Sequence, residues 1–202
     1  MISDEQAEKL IEGKISNGCL QDKNFFDEIG ENARRDLVDK TAILSLSADP
    51  TQILMWSHYA NSHKGCCLEF STQHMPFKRA RKVRYPPRYP NVNFLEVNDS
   101  NDDRKNAKFV ETLFCNKAKF WKYEQEWRVL GDKPALYSYE PTALTGIIFG
   151  HSMTPEDKDI VRRVVEKRNP QIQLYQARPW KREFKMQIFP LPNSETTLNL
   201  PK

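Results

Sequence analysis

The segment KAKFWKYEQEWR (117–128) spaces Glu124, Glu126 and Arg128 two residues apart, with Lys117 and Trp121 just ahead of them. Two carboxylates with a lysine and an arginine can hold a substrate by its phosphates. They can also run general acid–base chemistry, or steady the positive charge of a sugar oxocarbenium ion. The bland alternative is a ladder of charges on a solvated sheet face, since opposite charges at period two support exposed strands. A second alternative is a buried ion-pair network that fixes the fold.

A second group lies in LMWSHYANSHKGCCLEF (54–70). His58 interrupts a helix that is apolar on almost every side, and a helix of that kind is usually buried. A buried histidine needs a partner. It would then be a satisfied core group, a general base or a ligand anchor. A zinc site from His58, His63, Cys66 and Cys67 is poorly supported. The two histidines are five apart, and adjacent cysteines on a strand point to opposite faces. A Cys67–His58 nucleophile pair is equally thin. No metal is expected.

The third group is the basic, aromatic run KRARKVRYPPRYP (78–90), with Lys78, Arg79, Arg81, Lys82, Arg84 and Arg88 around Tyr85 and Tyr89. That composition can track a phosphate backbone and stack bases, which makes nucleic acid or another partner the alternative ligand. The competing explanation is a charged edge strand protected by its prolines.

Elements must position these groups. Helices are expected over 3–12, 22–40, 50–61, 102–120 and 154–168. Asp49 and Pro50 suit the start of the third. The long helix carries Val110, Phe114, Lys117 and Trp121 along one stripe, so Lys117 must snorkel or meet a carboxylate. Thr154, Pro155 and Asp157 form a capping box for the last helix. Strands are expected at 41–47, 65–71, 81–85, 124–130, 146–150, 172–177 and 183–189. On the fourth, Glu124, Glu126 and Arg128 would share a face opposite Tyr123 and Trp127. The segment from 91 reads as an Asn/Asp-rich loop. Without a βαβ rhythm, the expected fold is α+β: a single mixed, mostly antiparallel sheet flanked by helices. One domain would cover 1–190, and 191–202 would be a flexible tail.

Length and composition bound the rest. The chain has 202 residues, 39% hydrophobic and 29% charged, with a formal net charge of +4. That balance permits an anionic ligand without demanding nucleic acid. The opening MISDEQAEKLIEGK lacks the apolar segment of a secretion signal. No apolar run could span a bilayer. Four cysteines without a spaced framework fit reduced thiols in a cytoplasmic protein, with no membrane partner.

Together, Met55, Trp56, His58, Tyr59, Ala60, Lys64 and Gly65, then Lys117, Trp121, Tyr123, Glu124, Glu126 and Arg128, resemble a bacterial family, domain of unknown function family 2971. The resemblance extends over about 41–190 and includes the apolar strand ending at Gly150. It implies a stand-alone bacterial protein, sometimes defence-associated. Family members often begin with an aromatic strand and an Asn-Asp-Pro turn that this chain lacks, which implies a short form. The Glu-x-Glu pair is also similar to that of ADP-ribosyltransferases. This second likeness implies Glu126 as the key carboxylate and Glu124 as the aligner of an acceptor. Lys117 or Arg128 would contact phosphate, and Tyr59 or Trp121 would stack. With Trp56 and His58, these residues would form a site for a nucleotide-like substrate, with NAD as the implied cofactor.

Overall fold

The computed structural model describes residues 38–90 and 103–192, with Asn32 and Arg35. The helix expected over 3–12, nearly all of that over 22–40, most of the loop from 91 and the tail beyond 192 lie outside the described residues. The chain forms two compact units. One comprises Met1–Ala42, Asn93–Ser100 and Gly131–Ala135; the other comprises Ile43–Val92, Asn101–Leu130 and Leu136–Lys202.

The elements run β1 (Ala42–Ser47), α1 (Ile53–Tyr59), β2 (Cys66–Phe70), β3 (Arg81–Lys82), α2 (Asp103–Phe114), β4 (Glu126–Gly131), β5 (Leu144–Phe149), α3 (Pro155–Arg168), β6 (Gln173–Pro179) and β7 (Met186–Pro190). Helices with mostly antiparallel strands make an α+β fold, as expected. The strands form two sheets rather than one, ordered β1-β4-β3 and β2-β5-β6-β7. β5 and β6 pair in parallel, with α3 carrying the chain between them; β2–β5, β6–β7 and β3–β4 are antiparallel.

In the larger sheet, β5 is buried on both faces by strand alternation. Ile147 and Phe149 of β5 join Met153, Val165, Ile172 and Leu174 on one side, with Val161 of α3 packed against them. Ile148, pointing the other way, joins Trp56, Ala60, Ala177 and Met186. A strand covered on both faces is apolar throughout, which is why GIIFG carries no polar alternation. Helix α3 starts as its sequence dictates. Thr154 Oγ1 accepts the Asp157 N–H at 3.1 Å and donates to the Asp157 carboxylate at 2.9 Å.

Three elements differ from expectation. Asp49 does not cap α1; its carboxylate accepts from the N–H and hydroxyl of Thr51 in a tight turn, and the helix begins at Ile53. The strand expected over 81–85 shrinks to two residues. Helix α2 ends at Phe114, six residues short of its expected end. The Arg84 N–H donates to the Cys115 carbonyl at 2.8 Å, and the Lys117 N–H donates to the Arg84 carbonyl at 2.9 Å. Those backbone groups are taken by a neighbouring segment, so the helix cannot continue.

Candidate functional site

The two glutamates meet through a bend, not through strand alternation. Glu124 closes a 3-10 turn (Lys119–Glu124), Gln125 is left-handed at φ 45°, and β4 begins only at Glu126. The expectation that Glu124 shares a strand face with Glu126 and Arg128 is therefore corrected. A non-glycine residue in this conformation needs external support. The chain supplies it: Ser47 Oγ donates to the Glu124 carbonyl at 2.7 Å and the Ala48 N–H donates to the Gln125 carbonyl at 3.2 Å. Gln125 Nε2 reaches Asp49 at 3.2 Å, and the Glu126 N–H donates to the Tyr85 hydroxyl at 2.9 Å.

The bend carries both acids inward, where Glu124 is 2% and Glu126 4% exposed. This rules out the solvated charge ladder. Lys117, released from the helix stripe by the early end of α2, places its ammonium between them. It contacts Glu124 Oε2 and lies 3.0 Å from Glu126 Oε2. Arg128 grips Glu126 in a fork, Nε to Oε1 at 2.7 Å and Nη2 to Oε2 at 3.2 Å. Its Nη1 donates to the Phe114 carbonyl at 2.6 Å. Two anions and two cations therefore sit in one hydrogen-bonded cluster, which is the condition for burying charge without a large penalty.

Burial alone pushes the Glu126 carboxyl up. Hydrogen bonds from Arg128, Ser45 and Lys117 outweigh it and bring the group down from 4.5 to about 2. For Lys117, burial acts downward, but its two carboxylate partners hold the ammonium above its ordinary value. Glu126 is thus a fixed anion at neutral pH and does not exchange protons there.

The outer layer is aromatic. The exposed Tyr59 donates its hydroxyl to Glu124 Oε1 at 2.9 Å. That bond, then burial, raises the phenol above its ordinary value and keeps it protonated. Lys117 Nζ lies 5.1 Å from the ring centroid of the exposed Trp121, within cation–π range. Lys117, Glu124, Glu126, Arg128, Tyr59 and Trp121 are therefore one assembly.

The other expected residues lie elsewhere. Trp56 is core, 3% exposed, with its indole N–H on the Pro50 carbonyl at 2.7 Å. His58 is exposed rather than buried, and its ring stands edge-on to Tyr59 with centroids 6.2 Å apart. Among the described residues, no hydrogen bond or ion pair joins it to either glutamate. Helix α1 buries only Trp56. Its apolar side chains are spread around an axis that one core cannot enclose.

The basic run divides. Arg81 and Arg84 both pair with Glu111, the latter at 3.5 Å, while Val83 and Phe77 are buried and Tyr85 turns in to Glu126. Lys78, Arg79, Lys82 and Arg88 face outward. Among the described residues no three His, Cys, Asp or Glu side chains are grouped to hold a metal, and no helix is long and apolar enough to cross a membrane. Ser45 and Ser47 were not among the expected site residues, and Tyr85, expected to stack bases in the basic run, instead holds the Glu126 backbone. Each acts on the bend only through the chain's folding, and no local pattern marks that role.

Residues 55–129 match the family described as Protein of unknown function (DUF2971). No curated protein and no solved structure matches the chain. The matched stretch contains both the Met55–Gly65 and the Lys117–Arg128 motifs, and it includes Lys117, Glu124, Glu126 and Arg128 of the buried charge cluster.

Proposed function

Taking residues 55–129 as belonging to this family of unknown function, we propose that the chain is an enzyme acting on a nucleotide-like substrate. The substrate is received at the rim formed by Tyr59, Lys117 and Trp121. The observation that carries this reading is the Lys117 ammonium, held by two buried carboxylates and set 5.1 Å from an exposed indole. A base needs a flat ring to stack on and a phosphate needs a fixed cation, and this rim offers both side by side. Stacking of one base on an aromatic side chain contributes about 1–3 kcal/mol.

The roles differ from those the transferase likeness implies. Glu126 spends its oxygens on Arg128 and Lys117, so it orients the cations. Glu124 is the carboxylate in touch with the surface, through the Tyr59 hydroxyl. It is the group placed to stabilise positive charge on a ribose, with Tyr59 relaying the contact.

Calorimetric titration with NAD and with ATP tests the reading. Binding is expected, weakened at least about ten-fold by Trp121→Ala, as loss of one stacked base implies. Lys117→Met should weaken it similarly, and Phe184→Ala, an exposed aromatic outside the rim, should leave it unchanged. Absence of binding to either nucleotide, or equal affinity across all variants, would end the proposal.

A further inference from the structure

We propose that Ser57 and His63 form a nucleophile–base pair that attacks acyl esters, at a place distinct from the Tyr59–Lys117–Trp121 rim. Ser57 Oγ lies 2.9 Å from His63 Nε2. That is the hydrogen-bond reach a serine nucleophile needs from its base.

The imidazole is held by its backbone. Asn61, Ser62 and His63 all have positive φ, at 45°, 52° and 67°. Such residues persist only where surrounding structure enforces them, and they recur at functional sites. Here the His63 N–H donates to the Trp56 carbonyl at 3.1 Å, and the His63 carbonyl accepts the Ser152 N–H at 2.9 Å. Gly150 packs against that same carbonyl. The turn returns the ring onto α1, facing a residue six positions earlier.

The ring's two nitrogens are not equivalent. His63 Nδ1 is buried and, among the described residues, has no hydrogen-bond partner. Nε2 is therefore the atom through which the ring can gain or lose a proton, and Nε2 is the one that meets Ser57. Burial, and then the neighbouring His151, hold the imidazole below its ordinary value, which favours the neutral ring, the form that can accept a proton. Ser57 is exposed, and its single hydroxyl proton has two acceptors within reach, His63 Nε2 at 2.9 Å and the Ile53 carbonyl at 3.2 Å; the nucleophilic form is the one that donates to His63.

In the reaction, Ser57 Oγ forms a bond to the ester carbonyl carbon while its proton passes to His63 Nε2. The C–O bond to the leaving alcohol then breaks, and His63 returns the proton to the departing oxygen. Water hydrolyses the resulting acyl-serine by the same two transfers, with the carboxylic acid as product.

A fluorophosphonate probe tests the pair directly. Ser57 Oγ forms the O–P bond, fluoride departs with the electron pair of P–F, and the proton leaves through His63. The full chain is incubated with the probe and the adduct located by peptide mass spectrometry. Folding of each variant is checked by circular dichroism. The adduct is expected on Ser57. It should be absent from Ser57→Ala and formed at least about ten-fold more slowly in His63→Asn, which tolerates the left-handed backbone but offers no base. Ser138→Ala should label as the parent does. Absence of an adduct on the folded parent, or labelling scattered over other serines, would overturn the proposal even if His63→Asn fails to fold. So would parental rates in a folded His63→Asn. Nucleotide binding has no bearing on the outcome, so this proposal and the rim stand or fall separately.

Discussion

Glu126→Gln is expected to lower the free energy of unfolding by about 3 kcal/mol at pH 7, the usual scale for removing one partner of a buried ion pair. Glutamine keeps the shape and loses the charge. Arg128, which grips both Glu126 oxygens, then loses its anionic partner and one acceptor, keeping only neutral carbonyl oxygens, that of the glutamine amide and that of Phe114. Lys117 keeps Glu124 alone. The same variant should change the acid response. The folded Glu126 carboxyl is depressed to about 2 from an ordinary 4.5. The stability it contributes is therefore fully present above the unfolded value and disappears as pH falls through the folded one. Linkage puts this contribution at roughly 3 kcal/mol. The parent should lose it between about pH 4.5 and 2, and Glu126→Gln should lack that portion of the decline. Urea unfolding at a series of pH values checks both parts. A variant within about 0.5 kcal/mol of the parent at pH 7, with a parallel acid limb, would show that the cluster does not hold the fold.

Gly150→Ala should destabilise by about 3 kcal/mol, at the upper end of what overpacking usually costs. An added Cβ would meet the His63 carbonyl oxygen at 2.2 Å and the Gly65 carbonyl oxygen at 2.6 Å. Both are backbone atoms, and neither can step aside as a flexible side chain could. Gly150 also ties the end of β5 to the turn after α1, through its N–H on the Gly65 carbonyl at 2.9 Å. Its own carbonyl accepts from Gln176 Nε2 at 3.1 Å. The substitution should therefore lower the thermal midpoint and, by moving His63, slow labelling of Ser57. An unchanged midpoint would mean that the turn yields freely. By contrast, Gly146 would press on the Glu69 side chain, and a substitution there should be milder.

The parts of the fold readable in the sequence are those specified by neighbours along the chain. The start of α3 is written in Thr154, Pro155 and Asp157, and Asn169 stands where the helix stops. The double burial of β5 is written in its unbroken apolar run. The parts that could not be read depend on contacts far apart in sequence. Nothing in CNKAKF (115–120) breaks a helix; α2 stops at Phe114 because Arg84 pairs with Cys115 and Lys117.

The site behaves in the same way. Lys117, Glu124, Glu126 and Arg128 could be picked out by type and spacing, and they do converge. The route by which they converge could not be foreseen, because it needs a left-handed glutamine stabilised by β1 and Tyr85. The apolar residues around His58 predict a buried helix, yet the core takes only one narrow side of α1 and leaves His58 out. His63, weighed in the sequence only as a zinc ligand, comes close to Ser57 through the positive-φ turn, which no local pattern marks.

The proposed site for a nucleotide-like ligand is where Tyr59, Lys117 and Trp121 meet. Its most direct test is nuclear magnetic resonance mapping of the full chain as NAD is added. The Trp121 indole N–H and the amides of Tyr59 and Lys117 are expected to shift together and saturate with one affinity. Resonances that stay still there while others move, or a spectrum that does not change at all, would contradict it.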